Sequence, residues 1–131
     1  NIQTSFERNL LRENEIIIFH FPLIWFGIPP LLKLWIDEVF DIRWFRNKIE
    51  ERPLDKKDVY IVASAESAYQ SFKQDGHEQF DAGIYLNSLI ESIRICNMTF
   101  KGLITINNIE KLSDEESENY FRELRNIVTT S

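Results

Sequence analysis

Apolar positions along this chain follow two different rhythms. Ile16, Ile17, Ile18 and Phe19 run together without a polar break, and so do Val59, Tyr60, Ile61 and Val62. Phe100–Asn107 is rich in β-branched residues. Short unbroken runs of this kind are expected of parallel strands covered on both faces. Between and around them the spacing is helical. Phe6, Leu10 and Leu11 lie on one helix face. Ile28, Leu31, Leu32, Trp35 and Val39 form a second stripe, Tyr85, Leu86, Leu89, Ile90, Ile93 and Cys96 a third, and Tyr120, Phe121, Leu124, Ile127 and Val128 a fourth. The pattern predicts strands at about 15–20, 58–63 and 100–107, and helices at about 4–13, 28–40, 81–97 and 114–128. Helix and strand alternate, so the expected class is α/β, a three-layer parallel sheet in one domain, 1–131.

Punctuation supports these elements. Thr4 with Glu7, and Ser113 with Glu116, have capping-box spacing. Pro22 lacks an N–H and is expected to stop the first strand, Pro29 and Pro30 suit a first helical turn, and Asn97 suits a helix stop. Leu23–Gly27 must then be a loop at the carboxyl end of a central strand, where open α/β sheets bind ligands. The plain reading of Trp25 and Phe26 is that they plug the sheet against the next helix. The functional one is that the loop lays amides and ring faces along a flat heterocycle.

Composition narrows the function classes. With 131 residues the chain has room for one core, and 44% apolar and 27% charged residues are ordinary for a folded domain. A net charge of −6 argues against nucleic acid and against an anionic membrane surface as partners. No apolar run reaches the ~20 residues of a membrane helix. One cysteine, Cys96, cannot make an internal disulfide, so a reducing, cytoplasmic setting is expected. It reads as a buried apolar residue. Two histidines and one cysteine show no zinc spacing, and there is no GxGxxG or Walker loop. His20 reads as a hydrogen-bonded packing residue. Trp44 and Phe45 stand as apolar islands among Arg43, Arg46, Lys48, Glu50, Glu51 and Arg52, which reads as a solvated loop anchored by two aromatics.

The segment FPLIWFGIPPLLKLWIDEVF, residues 21–40, resembles the signature of the flavodoxin-like NAD(P)H:quinone oxidoreductases, the family of the general-stress quinone reductases and of potassium-efflux ancillary subunits. Phe21-Pro22-Leu23, Trp25-Phe26, Pro29, Leu31-Leu32-Lys33, Trp35 and Val39-Phe40 carry the likeness, which continues more weakly to near residue 128. The resemblance implies the later strands of a flavodoxin-like fold in an N-terminally incomplete domain. It also implies FMN as cofactor, NADH or NADPH as co-substrate, a quinone as acceptor, a homodimer with Trp44 and Phe45 at its interface, and a membrane transport protein as a possible partner. Pro22, Leu23, Ile24, Trp25 and Phe26 would line the flavin ring. Ala63, Ser64, Ala65 and Glu66 stand where relatives carry glycines that let backbone approach the ring. Tyr69 and His77 would be the acid–base pair. The lost glycines, the absent phosphate loop and Ile24, where relatives carry a polar residue, favour an alternative, a non-catalytic regulatory subunit that keeps the fold. A small electron-carrying flavodoxin is a third reading. Without the first strand of relatives, the strand at Ile16–Phe19 should expose an apolar edge that missing residues or a partner chain would cover.

Overall fold

A computed structural model describes residues 1–46, 52–71 and 80–130. Three parallel strands form one sheet: β1 (Ile16–Pro22), β2 (Asp58–Ser64) and β3 (Thr99–Ile106), in the order β1-β2-β3. Seven helices accompany them among these residues: α1 (Thr4–Glu13), α2 (Pro30–Val39), α3 (Ile42–Phe45), α4 (Ser67–Ser71), α5 (Ala82–Tyr85), α6 (Asn87–Ile95) and α7 (Asp114–Thr130). A 3-10 turn, Ile109–Lys111, joins β3 to α7.

The strand period of two sorts the sheet into faces. Phe19 packs edge-on against Trp35 of α2 at 5.9 Å, which places Ile17, Phe19 and Phe21 toward α2. Ile16, Ile18 and His20 alternate to the opposite face. The core lies on the α2 side and through β2, where Val59, Ile61, Val62 and Ala63 are fully buried. Leu89 and Ile93 of α6, with Leu86 just before that helix, close it.

Several expectations need correction. Pro22 ends β1 as expected, in register with Ser64, but not through its missing N–H. The Leu23 N–H donates to the Ser64 carbonyl, so by parallel alternation the odd-numbered residues bond to β2. The nitrogen of Pro22 therefore falls on the unpaired side, where a missing N–H costs the sheet nothing. The helix expected over 81–97 is two helices broken at Leu86, whose side chain is buried at the break. Asp81 caps the first through the Gly83 N–H. The Thr4–Glu7 box does not form: Gln3 is the N-cap and no side chain caps α1. Phe6 and Leu10 are exposed, and only Leu11 of that helix is buried. The Ser113–Glu116 box is complete, with the Glu116 N–H donating to Ser113 Oγ and the Ser113 N–H to Glu116 Oε1. Yet the stripe of α7 is not buried. Tyr120, Leu124 and Ile127 are half-covered, while Phe121 and Val128 stand more than half exposed. Among the described residues this face of the sheet has α7 alone over it, and no strand pairs with the outer edge of β1. A groove of about 500 Å³ runs along that edge, walled by Leu11, Ile17, Phe19, Phe21, Leu32 and Trp35. His20 is exposed and makes no hydrogen bond among the described residues.

Trp44 and Phe45 are buried rather than offered to an interface. The Arg8 and Arg12 guanidinium groups stack over the Trp44 ring at 4.8 and 5.6 Å. Asn97 takes the left-handed conformation that ends α6 (φ 62°). Cys96 is buried as expected, and burial pushes its thiol from the ordinary 9.0 up to about 11, with Arg46 pulling weakly the other way. The fold therefore favours the neutral thiol. That contribution is whole below pH 9.0 and fades as pH rises toward 11. Iodoacetamide is expected to label Cys96 slowly in the native protein at pH 8 and fast in denaturant. The urea midpoint should fall between pH 8 and pH 11 in wild type by more than in Cys96→Ala. Rapid native labelling at pH 8 would contradict the assignment.

Candidate functional site

The carboxyl end of β1 turns back on itself within four residues. Ile24 and Gly27 bond to each other both ways, Ile24 N–H to Gly27 carbonyl at 2.9 Å and the reverse at 3.0 Å. The two residues between them, Trp25 and Phe26, both have positive φ, 46° and 65°. This is the left-handed two-residue turn that ordinarily selects Asn-Gly. Each non-glycine residue in that region costs about 1–2 kcal/mol, so the surroundings must hold the turn in place. They do so at three points. The Leu23 N–H donates to the Ser64 carbonyl at 2.8 Å. The Tyr69 hydroxyl donates to the Leu23 carbonyl at 3.1 Å. The Phe26 ring sits in an aromatic cluster, 4.8 Å from Tyr69 and 5.0 Å from Tyr85, with Phe80 at 6.3 Å. The Trp25 indole, by contrast, is 88% exposed. Strain held in this way concentrates at functional sites.

Beside the turn is a cavity of about 540 Å³ lined by Leu23, Ile24, Trp25, Phe26, Glu66, Ala68 and Tyr69. It lies at the carboxyl ends of β1 and β2, the end where open parallel sheets take ligands. The structure thus brings together Leu23, Ile24, Trp25, Phe26, Glu66 and Tyr69 from the expected set. It sets the others apart. Pro22 lines the edge groove instead. Ala63 and Ala65 are buried in the core and do not line the cavity. Ala65 is held on both sides, its N–H by the Ile106 carbonyl and its carbonyl by the Ile109 N–H. Ser64 is half-buried and contributes its carbonyl to Leu23. His77 lies outside the described residues. The sequence reading missed Ala68 as a lining residue and missed the turn type, because no Asn-Gly pair advertises it.

The cavity's chemistry suits a flat ring. Its walls are mostly apolar, and the Trp25 N–H inside the turn has no partner among the described residues, leaving a donor for a ring carbonyl or nitrogen. The planar part of a flavin fits such walls. Its phosphate finds no lysine or arginine among the described lining residues. The Tyr69 proton is committed to a backbone carbonyl, so in this state Tyr69 can offer a ligand only its lone pairs. Among the described residues no group of His, Cys, Asp or Glu could hold a metal ion, and no helix is long and apolar enough to cross a membrane.

The chain is 28% identical over 130 residues to the uncharacterized NAD(P)H oxidoreductase YdeQ of Bacillus subtilis, covering 96% of this chain and 66% of the relative. It thus spans a little under two thirds of that relative's length. An NADPH-quinone reductase structure from P. pentosaceus superposes with a TM-score of 0.83 at 21% identity, over 97% of this chain and 74% of that one. General stress protein 14 of Treponema denticola, solved in complex with FMN, superposes at 0.74 and 22% identity, over 98% of this chain and 71% of that one. These likenesses establish the fold. The model of the family described by its flavodoxin-like fold matches residues 1–128, and the chain belongs to that family.

Proposed function

We propose that the protein acts as an FMN-dependent NAD(P)H:quinone oxidoreductase, with the flavin ring lying against the Trp25–Phe26 turn. The observation that carries this reading is the turn itself: two aromatic residues in left-handed conformation, pinned by Tyr69 and Ser64, walling an apolar cavity at the carboxyl end of the sheet. The similarity to an NAD(P)H oxidoreductase, a quinone reductase and an FMN-binding protein supports it.

The flavin, when bound, supplies two-electron hydride chemistry between nicotinamide and quinone. The chain's own residues do the rest. Leu23, Ile24 and Phe26 would keep water from one side of the cavity, and the Trp25 N–H would be a donor for the ring. Tyr69 acts as a clamp, holding the loop by its bond to the Leu23 carbonyl, and its lone pairs would accept a hydrogen bond from a ligand N–H or O–H. The same reading carries a cytoplasmic homodimer and a membrane transport protein as a possible partner. Trp44 and Phe45 are themselves buried, so their rings would not supply the dimer contact.

A second reading, a non-catalytic subunit of the same fold, is favoured by one feature: no cation lines the cavity to hold a flavin phosphate among the described residues. Purified protein incubated with FMN and washed separates the two. A retained yellow spectrum, followed by quinone-dependent oxidation of NADH or NADPH, is the expected result. Colourless protein that takes up no FMN would end the enzyme reading and leave the subunit.

A further inference from the structure

Among the described residues lining the cavity, one carries a charge. Glu66 stands at its rim, exposed, and its carboxylate makes no hydrogen bond or ion pair among the described residues. Its neighbour strengthens the sign. The Ile109 N–H bonds the Ala65 carbonyl, which brings the 3-10 turn beside the end of β2. Glu110 on that turn accepts the Ser67 N–H with both carboxylate oxygens, at 2.9 and 3.2 Å. The amide following Glu66 is therefore already taken by an anion and is not open to another. No lysine or arginine offsets either carboxylate at the described lining.

Resting on the reading that the cavity receives a planar ring, we propose that Glu66 makes the site select by charge. It admits uncharged and cationic planar rings and disfavours anionic ones. The physical argument is short-range. A carboxylate beside apolar walls acts through a lower effective dielectric than in water, so it discriminates a charge held a few ångströms away. Exposure on the solvent side limits the effect and makes it sensitive to salt. The discrimination expected between opposite charges is about tenfold at low ionic strength.

The test uses matched 2-substituted anthraquinones, one bearing a sulfonate and one a trimethylammonium-methyl group. Each is titrated into the protein while tryptophan fluorescence is read, since Trp25 walls the cavity. The cationic ring is expected to bind about tenfold more tightly at low salt. High salt should narrow the gap. Glu66→Gln should reduce it to less than about twofold, and Glu66→Lys should reverse it. Glu118→Gln, on exposed α7, should leave it intact. Equal affinities in wild type, a gap unchanged in Glu66→Gln, or no binding of either ring would overturn the proposal. An FMN titration of the same proteins separates it from the flavin reading. A charge gap without FMN binding ends the FMN enzyme and keeps Glu66 as selector; FMN binding without a gap does the reverse.

Discussion

Replacing Ile61 by alanine is expected to remove about 2–5 kcal/mol of folding stability, the range for deleting a buried branched side chain. Ile61 sits mid-strand in the central β2, fully buried, between Phe19 of β1 and Leu103 of β3. Its removal opens a void where both neighbours are themselves held by strand pairing, so little collapse can refill it. Domains of this size have ~5–15 kcal/mol in all, so the top of the range would unfold much of the population if the stability lies near the low end. Urea unfolding followed by far-ultraviolet circular dichroism measures the loss. The contrast is Phe121→Ala on α7, whose ring is 60% exposed and should cost less than about 1 kcal/mol. If Phe121→Ala costs as much as Ile61→Ala, the exposed face of α7 is covered in solution.

Trp25→Gly is expected to move stability and ligand binding in opposite directions. The left-handed turn charges tryptophan about 1–2 kcal/mol that glycine avoids. Glycine gives back ~0.5–1 kcal/mol through the freedom of the unfolded chain. The indole is 88% exposed, so its removal forfeits little burial. The balance is a gain of roughly 0.5–1 kcal/mol in the urea midpoint analysis. Binding of a planar ring should weaken about tenfold, the scale of a lost aromatic contact. Phe26→Gly is the informative partner. It relieves the same strain but empties the cluster of Tyr69, Phe80 and Tyr85, so it should destabilise. A Trp25→Gly protein that is less stable than wild type would show that the turn is not strained. One that binds FMN and anthraquinones unchanged would show that Trp25 does not wall the ring site.

Local pattern and tertiary context divide this protein along physical lines. The three strands, their parallel direction, and helices α1, α2 and α7 to within a few residues were legible from apolar periodicity and helix–strand alternation; burial enforces that periodicity in the strands, while the stripes of α1 and α7 are largely uncovered. The Ser113 box and the Asn97 stop were legible because both are local: side chains on neighbouring amides make the box, and Asn97 tolerates the left-handed backbone that ends the helix. Pro22 ends β1 as its position suggests, but its missing N–H is not the cause, because that matters only on the side of the strand that has a neighbour. The 81–97 segment was misread because the break at Leu86 has no proline or glycine at it. Amphipathic stripes marked Phe6, Leu10, Phe121 and Val128 as inward-facing, but a stripe states only what a residue would bury against, not whether the surface is there. The candidate site shows the same split. Resemblance singled out Leu23–Phe26, Glu66 and Tyr69, and the cavity unites them. Only the tertiary structure could turn Ala63 and Ala65 into the core, commit the Tyr69 proton to Leu23, and hold Trp25 and Phe26 in a turn that neither residue prefers. Those outcomes depend on contacts between β1, β2 and α4 rather than on the residues' own propensities.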